Sequence, residues 1–299
     1  MRRLIPLTML LGGCGFIDAG ADPLIEAHRG GAGYWPQNSR TAMLGSIDAG
    51  YDGLEFDLVL TSDGVPVLSH DPWLHEDLCT TTAGDALGER IFIQDLELAT
   101  LQADYLCGGV QDPESLDAEI VAEPVMTFDE LLEAMVDAPE MLFHIDVKYE
   151  PDETPGPDVF AEEIMSRFVA ADLPNPWFVS ANLAELVLAF EGWGADNGVD
   201  VPSLVTWPRF TPDTSDVMVA VGNELGASTG LVDMVSVADA AGADGVSVPY
   251  QVIDRQLAAL ARSQGLFVAI WTVNDQAMLQ ALQGWPIDAV VTDYPELAR

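Results

Sequence analysis

Short, apolar, β-rich runs recur along the chain, each followed by a stretch with helical spacing, and this alternation constrains the architecture more than any single motif. The runs are Leu24–His28, Gly53–Leu58, Leu142–Val147, Trp177–Ser180, Ser203–Thr206, Gly245–Val248, Leu266–Trp271 and Asp288–Thr292. Strands that alternate with helices pair in parallel through βαβ crossovers. Eight such units predict an α/β fold of the closed (β/α)8, or TIM-barrel, type. The alternative is an open doubly wound sheet, yet no Gly-x-Gly-x-x-Gly turn follows the first run. Helix signals fall between the runs. Thr127-Phe128-Asp129-Glu130 reads as a capping box opening a helix at Leu131–Met135. Asn274 is expected to cap Asp275–Gln283, with Gly284 beyond its end. Gln251–Ser263 has apolar residues at helical spacing and stops before Gly265.

One interval breaks the rhythm. After Asp71 the next strong run begins only at Leu142, about twice the usual unit, and the excess from roughly Trp73 to Glu123 reads as an insertion over one barrel face. It contains Cys79 and Cys107. The third cysteine, Cys14, stands in a different setting. Met1-Arg2-Arg3 is a cationic start, Leu4–Leu11 is an apolar run too short to span a bilayer, and Leu11-Gly12-Gly13-Cys14 follows. That layout resembles a bacterial lipobox, which implies a signal peptide over residues 1–13 and a lipid on Cys14. The mature domain would then run from 14 to 299 at the cell envelope, on its periplasmic or extracellular face, held to the membrane by this anchor only. In such an oxidising compartment Cys79 and Cys107 form the remaining even pair and are expected to be bridged.

Charge narrows the partners. With 49 acidic against 11 basic side chains the formal net charge is −38, a surface that repels phosphate backbones and excludes a nucleic-acid binder. The hydrophobic fraction of 49% excludes intrinsic disorder.

In a (β/α) barrel the chemistry lies at the C-terminal ends of the strands. The first run delivers His28-Arg29-Gly30 and the second Glu55-Phe56-Asp57, whose carboxylates share a face because strand side chains alternate. A turn at Ser62-Asp63-Gly64 sends Val65–Ser69 back to His70-Asp71. The third run ends Asp146-Val147-Lys148, the seventh Trp271-Thr272-Val273-Asn274 and the eighth Thr292-Asp293-Tyr294-Pro295. Acids gathered at one end without partners would be costly to bury. A hard divalent cation would satisfy Glu55, Asp57 and Asp146 and leave positions for water and substrate oxygens. Lys148 is the only lysine in the chain, which points to a need for a compact ammonium there. His75 lies in the insertion and reads as solvated; His144 shares a strand face with Asp146 and reads as a structural residue of the barrel interior.

Residues 24–71 resemble the glycerophosphodiester phosphodiesterase signature, in which His-Arg-Gly leads to Pro-Glu-Asn-Thr, Glu-x-Asp and His-Asp. Here the elements are His28-Arg29-Gly30, Pro36-Gln37-Asn38-Ser39, Glu55-Phe56-Asp57 and His70-Asp71. The likeness continues through Pro124–Leu132, Asp146-x-Lys148, Trp271–Asn274 and Thr292–Pro295. The resemblance implies the same barrel with an extra segment after His-Asp, and hydrolysis of glycerophosphodiesters to glycerol 3-phosphate and an alcohol. It implies His28 as general base and His70 as general acid, with Glu55, Asp57 and Asp146 holding one Ca2+ or Mg2+. Arg29, Asn38, Lys148 and Trp271 would meet the small-molecule substrate, a glycerophosphodiester or lysophospholipid. Two positions depart from the family pattern: Gln37 replaces Glu, and Asp146 stands where the family usually has Glu. Aspartate followed two residues later by lysine also resembles sphingomyelinase D-like phospholipases. A lysophospholipase D or sphingomyelinase D-like activity, or a catalytically silent binding lipoprotein, are the alternatives.

Overall fold

The computed structural model describes residues 22–206 and 228–299. Strand β1 (Leu24–Ala27), helix α1 (Arg40–Ala49) and strand β2 (Gly53–Leu60) make the first unit, and a tight turn leads to β3 (Pro66–Leu68). The inserted segment holds β4 (Trp73–Leu74), β5 (Cys79–Thr81), β6 (Ile91–Phe92), α2 (Leu98–Asp104) and β7 (Tyr105–Cys107). Then follow α3 (Phe128–Ala134), β8 (Leu142–Val147), α4 (Pro157–Ala171), β9 (Trp177–Ala181), α5 (Ala184–Asn197) and β10 (Ser203–Thr206). After α6 (Ser228–Ala241) come β11 (Gly245–Pro249), α7 (Arg255–Ser263), β12 (Phe267–Trp271), α8 (Gln276–Leu282) and β13 (Ala289–Thr292).

Eight of these strands close the barrel in the order β1-β2-β8-β9-β10-β11-β12-β13, with β13 pairing back to β1, every pair parallel. Such strands are covered on both faces, which is why they read as continuous apolar runs; all of β2 and β8 is buried. Outward residues of β2 and β8 meet the helices in an aromatic layer: Phe56 lies 5.9 Å from Phe128 of α3, and Phe143 lies 5.6 Å from Phe168 of α4. Inward residues at the lower end, Leu142, Phe178, Leu204 and Phe267, form a separate apolar plug. Gly245 makes room for that plug, since a Cβ there would sit 2.4 Å from the Phe267 carbonyl oxygen.

The hairpin after β2 follows the expected course. Thr61 donates its hydroxyl to Asp63 at 2.6 Å, Gly64 takes φ +76°, and β3 pairs antiparallel with β2 from Leu68 opposite Leu58. The insertion builds its own small core from Leu74, Cys79, Leu87, Ile93 and Leu101 against Val59 and Val67. The Thr127 capping box is present and opens α3. Two helix starts differ from expectation. α8 is capped by Asp275, which accepts from Met278 N at 2.8 Å, because the Asn274 amide is committed to Asp293. α7 begins at Arg255 behind Asp254, whose carboxylate accepts from Gln256 N and Leu257 N; Tyr250–Val252 forms a separate 3-10 turn. The leader and Cys14 lie outside the described residues, and among the described residues no helix is long and apolar enough to cross a membrane.

Cys79 and Cys107 face each other across β5 and β7 and are bridged, closing a loop with a sequence separation of 28. A loop of that size contributes roughly 3–4 kcal/mol in the chain-entropy account. Alkylation without reduction should leave both thiols unmodified by intact mass, and the Cys79→Ser/Cys107→Ser double variant should lower the denaturant midpoint. Free thiols at both positions in the isolated protein would contradict the bridge.

Candidate active site

Alternation along β2 points Glu55 and Asp57 into the barrel, and the parallel register sets Asp57 beside Asp146 and Glu55 beside His144. The three carboxylates Glu55, Asp57 and Asp146 converge, each offering an oxygen within 4.8 Å of the others, and all are buried. Burial and the neighbouring Asp57 push the Glu55 carboxyl up to about 8. Burial also disfavours charge on Asp57, yet Lys148, His70 and Arg29 outweigh it and hold that carboxyl well below the usual range. An all-oxygen, multiply anionic donor set of this kind fits a hard divalent cation.

Each acid is held from outside the cluster. Asn38 donates from Nδ2 to Asp57 Oδ2 at 2.7 Å and accepts from Asp57 N at 3.1 Å. Asn38 thus grips Asp57 through both amide atoms and orients that carboxylate. Lys148 Nζ sits 3.0 Å from Asp57 Oδ1 and also donates to Asp146 Oδ2. Burial disfavours its charge, but Asp146 and Asp57 raise its pKa above the ordinary lysine value. The Arg29 backbone N–H donates to Glu55 Oε2 at 2.7 Å while its Nε lies 3.5 Å from Asp57 Oδ2.

Two histidines flank the cluster with one nitrogen each already engaged. His28, at the end of β1, has Nδ1 2.6 Å from Asp293 Oδ1 and Nε2 4.0 Å from Glu55 Oε2. His70 follows β3, which Ser69 N extends by donating to the Asp57 carbonyl, and has Nδ1 2.9 Å from Asp71 Oδ1. In both, a carboxylate fixes the ring and leaves Nε2 for chemistry. Burial, then the Arg29 charge, lowers the His70 pKa to about 3, so its imidazole is neutral. Asp293 is in turn fixed by Asn274, whose Nδ2 donates at 2.5 Å.

A cavity of about 650 Å³ opens over these groups, lined by His28, Arg29, Glu55, His70, Asp146, Lys148 and Trp271. The insertion supplies Trp73 and Arg90 to its wall, with Arg90 stacked 4.1 Å over the Trp73 ring. The fold thus brings together the sequence-selected residues of the strand ends. His75 does not point freely into solvent: its side chain is 34% exposed and Nε2 lies 4.0 Å from Asp71, because the insertion folds back over the His70-Asp71 corner. The partners Asp71 and Asp293 were visible as strand-end residues but had no assigned task, and Asn274 was read as a helix cap.

Beneath the cluster runs a buried chain of polar groups absent from the sequence reading. Glu26 Oε2 lies 2.6 Å from His144 Nδ1, His144 Nε2 lies 2.9 Å from Ser180 Oγ, and Ser180 donates to Asp146 Oδ1 at 2.8 Å. Burial opposes charge on His144, but Glu26, with Glu55 and Asp146 behind it, raises its pKa. The expected interior structural role of His144 thus acquires a specific partner. Gly53 gives Glu26 its space, since a Cβ there would come within 2.8 Å of Glu26 Cγ.

The model of the Glycerophosphoryl diester phosphodiesterase family matches residues 28–174 and 211–297. The chain is 29% identical over 207 residues to an uncharacterised protein of Mycobacterium tuberculosis, covering 67% of this chain and 65% of that protein's length. It is 25% identical over 278 residues to a glycerophosphodiester phosphodiesterase of Bacillus subtilis, covering 92% of this chain and 84% of the other. Its fold is similar to that of an Oleispira antarctica phosphodiesterase solved with the product sn-glycerol-3-phosphate. That match has a TM-score of 0.68 at 18% identity and covers 93% of this chain and 95% of the other.

The buried chain under Asp146 makes a stability prediction. Glu26→Ala strands His144 in the barrel without its carboxylate and should cost about 3–5 kcal/mol. Ser180→Ala breaks two hydroxyl contacts and should cost less, about 1–3 kcal/mol. Urea unfolding with an unchanged m-value checks both; a neutral Glu26→Ala would show that the pair carries no stability.

Proposed function

Because the chain belongs to the Glycerophosphoryl diester phosphodiesterase family, we propose that it hydrolyses a glycerophosphodiester to glycerol 3-phosphate and an alcohol, using one divalent cation, Ca2+ or Mg2+. One observation carries the reading: a single cavity opens over Glu55 and Asp146, on which Asp57 converges, between two histidines, each with Nδ1 tied to an acid, and beside two partly buried cations. Glu55, Asp57 and Asp146 would hold the cation, which when bound neutralises charge on the phosphate oxygens. Arg29 and Lys148 pair with the remaining anionic oxygens, and Trp271 borders the alcohol side of the cavity.

The proton transfers fall to His28 and His70. The resemblance gave His28 the base and His70 the acid; we propose the exchange. His70 enters the cycle neutral, with Nδ1–H on Asp71 and a lone pair on Nε2, and so takes the proton from the attacking oxygen. His28, with Nδ1 on Asp293 and Nε2 facing Glu55, hands its Nε2 proton to the leaving alcohol. We further propose that Cys14 is lipidated and tethers the enzyme at the cell envelope; a mature mass beginning at diacylated Cys14 would establish it.

A substrate panel with and without chelator tests the reading. Glycerophosphocholine and related diesters should be cleaved, EDTA should abolish turnover and lower the melting temperature, and Ca2+ or Mg2+ should restore both. Full activity and an unchanged melt in excess EDTA would remove the metal from the scheme; turnover confined to lysophospholipids would move the specificity to lysophospholipase D. The histidine roles have their own test. Either alanine variant should lose about 10²–10⁴ in rate on glycerophosphocholine. With a nitrophenyl phosphodiester, whose leaving group needs no proton, His28→Ala should recover while His70→Ala stays impaired. The opposite pattern would return the base to His28.

A further inference from the structure

The inserted segment and the loop after β1 meet along a seam that the proposed chemistry has not used. Gly108 packs against Pro36 so closely that a Cβ would lie 2.7 Å from the proline Cβ. Glu119 N donates to the Tyr34 carbonyl at 2.9 Å, and Glu123 accepts from Thr41 N at 2.9 Å. At the centre of the seam stands Gln37. Its Oε1 accepts from Arg29 Nη1, and its Nε2 donates to Asp112 Oδ2 at 2.6 Å. Asp112 is 7% exposed, and its other oxygen accepts from Glu114 N at 2.8 Å.

Of the amide and the ionised carboxylate, only the amide satisfies both neighbours. Its oxygen must face the guanidinium, which has donors only, and its NH2 must face the carboxylate, which has acceptors only. A glutamate at this position would still accept from Arg29, but it would set a second carboxylate against the buried Asp112 at hydrogen-bond distance. The family's glutamate at this place is therefore incompatible with Asp112, and the charge it would bring stands instead on the insertion, one amide away from Arg29.

We propose that Gln37 and Asp112 are positioning residues for Arg29, coupling the aim of the phosphate-binding guanidinium to the docking of the disulfide-stapled insertion. The proposal rests on the reading of Arg29 as a phosphate ligand, but the seam itself does not. It implies that restoring the family residue damages this enzyme. It also implies that the damage is reversible from the far side of the contact, 75 positions along the chain.

The experiment is a double-mutant cycle on the full chain with the disulfide intact: wild type, Gln37→Glu, Asp112→Asn and the pair, each assayed for kcat and KM on glycerophosphocholine. Gln37→Glu should lower kcat/KM by about 10-fold or more, chiefly through KM. Asp112→Asn in that background gives the introduced carboxylate a donor to accept from and should recover activity to within about threefold of wild type. A second readout is cleavage at Glu114 and Glu119 by a glutamate-specific protease. Cleavage should accelerate in Gln37→Glu and slow again in the double variant. Gln37→Met, which keeps the volume and loses both hydrogen bonds, replaces Gln37→Glu if that variant does not fold, and should show the same KM rise and faster cleavage. Wild-type kinetics in Gln37→Glu, or a folded Gln37→Glu that Asp112→Asn fails to rescue, would overturn the proposal. A wild type inactive on every glycerophosphodiester would instead count against the functional reading, and the protease arm would still decide the seam.

Discussion

Three carboxylates packed into one buried spot repel one another, and the architecture at the top of the barrel is organised around that repulsion. Glu55, Asp57 and Asp146 each offer an oxygen within 4.8 Å of the others, and burial, then the Asp57 charge, would keep a proton on Glu55 up to about pH 8. Nothing apolar could hold them together. Lys148 bridges two of them, Arg29 reaches the other pairing through its backbone and guanidinium, and Asn38 and Ser180 supply neutral donors. With all three acids ionised, the two fixed cations leave one negative charge uncompensated. A divalent ion would turn that deficit into one positive charge, opposite to a phosphodiester. The repulsion that destabilises the bare cluster would thus be the source of the cation and substrate affinity proposed for it.

Backbone register delivers this convergence. Glu55 and Asp57 face inward only because β2 holds its phase against β8, and a slip of one residue would turn both acids into the helix layer and Phe56 into the cavity. The aromatic contacts of Phe56 and Phe143 with α3 and α4 make such a slip expensive. Below, the Glu26–His144 pair occupies the layer between the apolar plug and the cluster, so the polar interior is continuous from Glu26 to Asp146. The hairpin from β2 to β3 then returns the chain to the same corner, which is how His70 comes to lie beside Asp57 without belonging to a barrel strand.

Much of this was legible because the signals are local. Parallel strands buried on both faces read as apolar runs, and residues at their ends read as site candidates, so His28, Glu55, Asp57, Asp146, Lys148 and Trp271 could be named without coordinates. The insertion between Trp73 and Glu123 showed itself by length and by its cysteines. What the sequence hid are the pairings made across space. Asn274 carries a good capping side chain, yet Asp293 competes for it successfully from the end of the next strand. Glu26 and His144 are 118 positions apart, and neither neighbourhood announces the other. Asn38 illustrates a subtler gap: the motif located it, but only the direction of its amide, toward Asp57 on both atoms, shows that it orients that carboxylate.

The acidity of the whole chain gives these few cations a larger task than they would have in an ordinary protein. A formal charge of −38 repels an anionic substrate at long range, although ionic strength limits that reach to about 8–10 Å in physiological salt. Attraction must therefore be short-range and built into the cavity itself. Arg29 and Lys148 provide it near the cluster, and Arg90 extends it to the wall contributed by the insertion, where stacking on Trp73 holds the guanidinium in place. Each of these cations depends on a different part of the fold: the loop after β1, the end of β8 and the inserted segment. The insertion is accordingly more than a cover. Through Trp73 and Arg90 it forms part of the cavity wall, and through Asp112 and Gln37 it reaches Arg29, so its docking on the barrel completes the lining of the site.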